Sequence, residues 1–220
     1  MLKQDVLQKI VGPGLVAVIR ASSADAAARV AEACVEGGIQ ALEVTFTVPN
    51  AAAAIADLTK RHQTSKVAIG AGTVLDPETA RACHLAGAQF FVTPSLNLRT
   101  IEMAHRYSRP IFPGGLTPTE ILTAWEAGAD GVKVFPCNAL GGAKYIKSLK
   151  APLPHVDLIP TGGVNLETIA DFLTAGSTAV GVGSELVDAA SVKSGNYQAV
   201  TERSRKFREI VASVRGSTTS

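Results

Sequence analysis

The sequence predicts an α/β protein, a (β/α)8 TIM barrel with a short N-terminal helix. Eight short apolar runs alternate with Ala-rich segments of helical period. The runs are continuously apolar, as parallel strands covered on both faces are. Eight such units in 220 residues, with no second domain evident, favour a closed barrel over an open doubly wound sheet.

Leu2, Val6 and Ile10 fall at helical spacing, and Gly12-Pro13-Gly14 ends that first helix. The first strand follows at Leu15–Arg20. After Ser23, Ala27, Val30, Ala31 and Cys34 form one apolar stripe, which stops at Gly37-Gly38. The second strand is Ala41–Thr45 and, beyond an Ala-rich segment, the third is Val67–Gly72. Asp76-Pro77-Glu78 supplies a cap with proline in the first turn of the next helix, which ends near Gly87. The fourth and fifth strands are Gln89–Thr93 and Pro110–Pro113. Thr117-Pro118-Thr119-Glu120 has the spacing of a capping box, and Gly128 closes that helix. The last three strands are Gly131–Phe135, Asp157–Thr161 and Thr178–Gly183, with Gly176 ending the helix between the seventh and eighth. A final helix from about Asn196 to Arg215 places Val200, Phe207, Ile210, Val211 and Val214 near one stripe. The expected organisation is a single domain over residues 1–215 and a disordered tail over 216–220.

Composition removes several classes of function. The net charge of +2 gives no excess suited to nucleic acid or an anionic membrane. The densest basic run, Arg203-Ser204-Arg205-Lys206 with Arg208, is interleaved with Glu202 and Glu209 and reads as a solvated helix face. No run approaches the roughly 18 apolar residues of a membrane span, and the start, Met1-Leu2-Lys3-Gln4-Asp5, lacks the pattern of a signal peptide. Three widely spaced cysteines, Cys34, Cys83 and Cys137, do not make a disulfide framework and fit a reducing cytoplasm. His62, His84, His105 and His155 show no metal-ligand spacing, so no metal and no cofactor is expected.

In a barrel, chemistry sits where the strands end. The polar residues there are Arg20, Glu43, Thr45, Thr73, Thr93, Lys133, Thr161 and Ser184. Lys133 lies between two valines in Gly131-Val132-Lys133-Val134-Phe135-Pro136. Burial disfavours a charged amine, and a neutral amine attacks carbonyls to form a Schiff base. The plainer alternative is a strand-end lysine whose charge reaches solvent. Glu43, in Ala41-Leu42-Glu43-Val44-Thr45, is costly in an apolar strand unless paired or protonated. It reads either as a structural ion pair with the lysine or as a general acid/base facing it, the pair that Schiff-base aldol cleavage needs. Alternation puts Glu43 with Thr45 on one face, and Lys133 with Phe135 on another. Thr161-Gly162-Gly163-Val164 and Val182-Gly183-Ser184 follow the seventh and eighth strands, the habitual phosphate site of such barrels. Gly70-Ala71-Gly72-Thr73 lacks the last glycine of a dinucleotide fingerprint and is set aside as one.

Taken together, Leu42-Glu43-Val44-Thr45, Gly70-Ala71-Gly72-Thr73-Val74, Thr93-Pro94, Phe112-Pro113-Gly114, Lys133-Val134-Phe135-Pro136, Pro160-Thr161-Gly162-Gly163-Val164 and Gly181-Val182-Gly183-Ser184 carry a resemblance. From about Leu15 to the final helix the chain resembles the class I 2-keto-3-deoxy-6-phosphogluconate (KDPG) aldolase family, which includes enzymes acting on 4-hydroxy-2-oxoglutarate. The resemblance implies Lys133 as the Schiff-base lysine and Glu43 as the general acid/base. It implies Thr73, Pro94 and Phe135 around the pyruvyl moiety, phosphate near Gly162, Gly163 and Ser184 with Thr161 and Gly183 beside it, and Arg20 among the substrate-binding residues. It also implies a homotrimer and a small phosphorylated 2-keto acid as substrate. Many members of the family place an arginine four residues after the glutamate; here that residue is Thr47, which leaves the galactonate epimer and 4-hydroxy-2-oxoglutarate as alternative substrates. Rival readings of another class are a phosphate-binding barrel isomerase and a non-catalytic ligand-binding barrel.

Overall fold

A computed structural model describes residues 2–216. The elements alternate in chain order: α1 (Lys3–Val11), β1 (Leu15–Ile19), α2 (Ala24–Glu36), β2 (Ala41–Thr45), α3 (Ala51–Arg61), β3 (Ala68–Gly72), α4 (Pro77–Leu85), β4 (Phe91–Val92), α5 (Leu98–Arg106), β5 (Ile111–Phe112), α6 (Pro118–Glu126), β6 (Val132–Val134), α7 (Ala143–Lys150), β7 (Leu158–Pro160), α8 (Ile169–Thr174), β8 (Val180–Val182), α9 (Ala189–Ser194) and α10 (Tyr197–Gly216). All eight expected strands are present. Asp76 caps α4 by accepting from the Thr79 N–H, and Thr117 and Glu120 form the expected capping box on α6. Two elements went unanticipated: a 3-10 turn at Cys137–Leu140 and the short α9. Gly216 is helical rather than the first residue of a tail, and the rest of that predicted tail lies outside the described residues.

The parallel sheet is curled, but its ladder is not one uninterrupted ring. Six strands pair in the order β5-β4-β3-β2-β1-β8, and β6 pairs with β7. Single parallel bridges, Gly114 to Lys133 and Thr161 to Gly181, link the two sheets at both edges. The seams are thin because proline stands at each. The Pro113 carbonyl accepts from the Lys133 N–H, so the N–H that Pro113 lacks is missing from that seam. Leu158 accepts from Thr178, and Pro160, two residues on and facing the same way, again has no donor to offer β8.

Alternation along the strands divides the apolar residues into two cores. The larger lies between sheet and helices and takes the outward residues, such as Leu15, Ala17 and Ile19 of β1 and Leu42 and Val44 of β2. The smaller fills the inside of the curled sheet with Val16, Ala41, Ala68, Phe90, Val92, Phe112, Ile159 and Ala179, and α1 closes its lower end with Val6 and Ile10. Phe90 packs edge-on against Phe112, with ring centroids 6.2 Å apart. The Phe90 ring lies over Gly70, where a Cβ would come within 2.5 Å of its Cε1 and Cε2. This aromatic layer is the floor on which the polar residues of the next layer stand. Among the described residues no helix is long and apolar enough to cross a membrane.

Candidate active site

Lys133 and Glu43 project from β6 and β2 into the interior just above that floor. A small cavity lined by Val16, Glu43, Phe90, Val92, Phe112, Lys133, Ile159, Thr161 and Gly181 contains both. Lys133 is 4% exposed and Glu43 2%. The Lys133 Nζ lies 3.7 Å from Glu43 Oε1, within ion-pair range and beyond hydrogen-bond length. Glu43 Oε1 is buried with no hydrogen-bond partner among the described residues. A buried, unpartnered oxygen beside an amine is unusual, since buried polar groups are almost always paired. It leaves an acceptor ready for a hydroxyl that enters between the two side chains. The Phe135 ring, half-buried at the end of β6, has its centroid 5.2 Å from Nζ.

A second cavity opens above the first and shares Thr161 and Gly181 with it. Val18, Arg20, Phe135, Asn138, Gly162, Gly163, Val164, Gly183, Ser184 and Glu185 complete its lining. Thr161 belongs to both because Gly181 opposite has no side chain; a Cβ there would collide with the Thr161 hydroxyl. Gly162 and Gly163 take φ of 92° and 77°, a left-handed conformation that glycine adopts without strain. The N–H groups of Gly162, Gly163, Val164, Ser184 and Glu185 donate to no main-chain carbonyl among the described residues. A set of uncommitted amides on two adjacent loops is the donor arrangement that an anion uses. Arg20 is exposed at the rim and enters none of the ion pairs among the described residues.

The candidates do not all converge. Lys133, Glu43, Phe135, Arg20, Thr161, Gly162, Gly163, Gly183 and Ser184 surround the two joined cavities, whereas Thr73 and Pro94 line neither. Thr73, after β3, has φ 57°, a rare conformation for a β-branched residue. Pro94 packs its backbone against Gly114, whose Cβ would lie only 2.6 Å from Ser95 N. Thr45 shares the inner face with Glu43; its hydroxyl donates to the Ile19 carbonyl at 3.1 Å, so Thr47, 2.8 Å away, donates to Thr45. Asn138 was missed. It reaches the cleft from the 3-10 turn after β6, against Gly162 and Gly163, and no local spacing signals that juxtaposition.

The other titratable residues lie elsewhere. His84 stacks on Tyr107, and burial, then Arg109 and Arg81, lower its pKa. His62 faces Glu32 and His155 packs edge-on to Trp125. No group of three or more His, Cys, Asp or Glu able to hold a metal occurs among the described residues. Arg203 and Arg205 of the basic run pair with Asp188 and Glu36, consistent with a solvated face.

Cys137 follows the lysine strand, but burial pushes its thiol up to about 11, and Cys34 and Cys83 to about 12. Only about one Cys137 thiol in 10³ is then ionised at pH 8, too few for fast alkylation. Brief iodoacetamide treatment at pH 8 should leave the native protein unmodified and add three groups in denaturant, where all three cysteines are exposed. Intact-mass measurement reads both results; rapid native labelling at Cys137 would contradict its burial.

The family profile described as "Aldolase: KDPG and KHG aldolase" matches residues 6–203. A 2-dehydro-3-deoxy-phosphogluconate aldolase of Treponema pallidum (strain Nichols) is 36% identical over 197 residues, 90% of this chain and 93% of that protein. A 2-dehydro-3-deoxy-6-phosphogalactonate aldolase of Escherichia coli (strain K12) is 35% identical over 198 residues, 90% of this chain and 96% of that protein. The crystal structure of KDPG aldolase from Legionella pneumophila, with pyruvate captured at low pH as a covalent carbinolamine intermediate, superposes with a TM-score of 0.82 at 30% identity, covering 90% of this chain and 96% of that one. Matches of this extent and identity establish that the chain belongs to the KDPG and KHG aldolase family.

Proposed function

We propose that this protein is a class I, Schiff-base aldolase that reversibly cleaves 2-keto-3-deoxy-6-phosphogluconate to pyruvate and glyceraldehyde 3-phosphate. The observation that carries the reading is the buried Lys133–Glu43 pair, 3.7 Å apart, beneath a cleft rimmed by uncommitted loop amides. The Lys133 amine adds to the C2 carbonyl to give a carbinolamine, and loss of water leaves an iminium. Glu43 takes the proton of the C4 hydroxyl. The C3–C4 electron pair then moves into the iminium, and the aldehyde departs. Return of a proton to C3 of the enamine and addition of water release pyruvate and restore the amine. The iminium is the electron sink, so the reading calls for no cofactor and no metal.

In this reading Phe135 bounds the pyruvyl end; Thr73 and Pro94, which line neither cavity, belong to that end only as the family resemblance implies. Gly162, Gly163, Gly183 and Ser184 hold the phosphate, with Thr161 and Arg20 along the substrate between. The two bridges that link the sheets support closure of the eight strands into a (β/α)8 barrel, a single domain that runs to the end of α10. The reading includes a homotrimer in the cytoplasm. Exposed Leu75, Leu85 and Leu98 offer apolar surface for subunit contact, and three buried free thiols suit a reducing compartment. Thr47, which bonds the Thr45 hydroxyl where many of the family place an arginine, keeps the galactonate epimer and 4-hydroxy-2-oxoglutarate as the alternative substrates.

A pyruvate-release assay across phosphorylated and unphosphorylated 2-keto-3-deoxy acids tests the assignment. Unphosphorylated analogues leave the loop amides to water, so their kcat/KM should be lower by roughly 10²-fold, about 3 kcal/mol of transition-state binding. Gly162→Asp puts a charge and a side chain where the backbone approaches the anion, and should reduce turnover of the phosphorylated acid most. Equal kcat/KM for both classes in the wild type, reduced alike by the substitution, would show that these loops do not read a phosphate.

A further inference from the structure

The carboxyl of Glu43 occupies space left by a residue with no side chain. Gly72 ends β3, paired in register with Thr45 of β2. It shares the inner face of the strand with Ala68 and Gly70. A Cβ built on Gly72 would stand 2.5 Å from both Cδ and Cγ of Glu43 and nearer still to Oε1, whereas real Cβ atoms essentially never approach another heavy atom within 3.0 Å. The backbone of Gly72 is outside the left-handed region, so a larger residue meets no conformational penalty there. Its neighbour Gly70 is different: what a Cβ would meet there is the Phe90 ring, in the apolar floor. At Gly72 the nearest obstacle to a side chain is the group assigned to proton transfer.

The carboxyl has little room to retreat. It is almost fully buried, it has the Lys133 Nζ 3.7 Å from Oε1, and it stands on the Val92–Phe112 layer. We infer that Gly72 is a positioning residue for the reaction: its missing side chain is the slot that holds the Glu43 carboxyl at its distance from the Lys133 amine. The inference rests on the reading of Glu43 as the proton carrier. Any side chain at residue 72 would displace the carboxyl from the reacting atoms, and a misplacement near 1 Å can reduce a rate by about 10²-fold.

The experiment is a double-mutant cycle with Gly72→Ala and Glu43→Ala, read by exchange of pyruvate methyl protons with solvent deuterium, by borohydride trapping and by thermal melting. Gly72→Ala should lower exchange and kcat by about 10²-fold. It should still reach one trapped pyruvyl group per chain at saturating pyruvate, because the amine itself is untouched. In the Glu43→Ala background, where the carboxyl that a Cβ would displace is gone, adding Gly72→Ala should change neither exchange nor melting temperature. A multiplied loss in the double variant would overturn the inference, since Gly72 would then act apart from Glu43. Wild-type exchange in Gly72→Ala alongside a large loss in Glu43→Ala would overturn it and leave the role of Glu43 standing. Wild-type exchange in Glu43→Ala would overturn both. If Gly72→Ala does not fold, the double variant still decides: folding like Glu43→Ala supports the slot, and failure to fold refutes it.

Discussion

Lys133→Ala should form no borohydride-stable adduct with pyruvate and should lose aldol cleavage by roughly 10⁴-fold or more, about 5 kcal/mol of transition-state stabilisation. The wild-type chain should gain one reduced pyruvyl group, and peptide mapping should put it on Lys133. The selectivity has a structural reason. Lys133 is held on a strand with its Nζ beside a carboxylate, above an apolar floor that excludes water. Lys144 and Lys147 are exposed on α7, where an ammonium is well solvated and a passing carbonyl is not retained. An adduct on either would refute the assignment. The substitution also removes the partner of a buried carboxylate, a change that typically destabilises by about 3–5 kcal/mol. A melting curve must therefore accompany the assay, and Lys133→Met, which fills the volume without the amine, should be equally inactive. A ligand-binding barrel without chemistry would show no adduct in the wild type. An isomerase using the same two residues as acid and base would show none either.

Lys133 and Glu43 could be recognised from sequence because each breaks an apolar strand with a charge, and a covered strand offers that charge no water. Alternation then gave the facing correctly: Glu43 shares the interior with Thr45, and Phe135 lies near the Lys133 Nζ. The caps of α4 and α6 could be read because capping is local chemistry within four residues. Other features depend on which residues meet across the barrel, and no spacing along the chain encodes that. Asn138 reaches the glycine loop from a turn more than twenty residues earlier. The seams at Pro113 and Pro160 follow from the direction in which each missing N–H would point, and so from strand order. Gly70-Ala71-Gly72-Thr73 reads in the sequence as an incomplete dinucleotide fingerprint and as a family motif, neither of which gives its glycines a role. Its glycines instead make room for the Phe90 ring and the Glu43 carboxyl, which come from β2 and the approach to β4. Thr73 and Pro94 show the opposite limit: strand-end position names Thr73 and the family resemblance names both, yet neither side chain lines the joined cavities.

Glu43→Gln should lower aldol cleavage by about 10²–10⁴-fold, the range of a positioned acid/base, while leaving Lys133 able to trap pyruvate. Glutamine keeps the shape of the side chain, so the space beside Gly72 stays filled and the floor beneath is undisturbed. What changes is the oxygen that now has no partner, Oε1. As a carboxylate it can take the C4 hydroxyl proton and return one to the enamine; as an amide it can do neither. Two measurements should fall together, cleavage of the phosphorylated 2-keto acid and exchange of the pyruvate methyl protons, because both need a proton moved beside the same iminium. If glutamate only balanced the lysine charge, the variant would lose stability and adduct formation but keep exchange per adduct formed. Wild-type exchange in a folded Glu43→Gln variant would place the proton shuttle on another group, and the buried pair would then be no more than an ion pair.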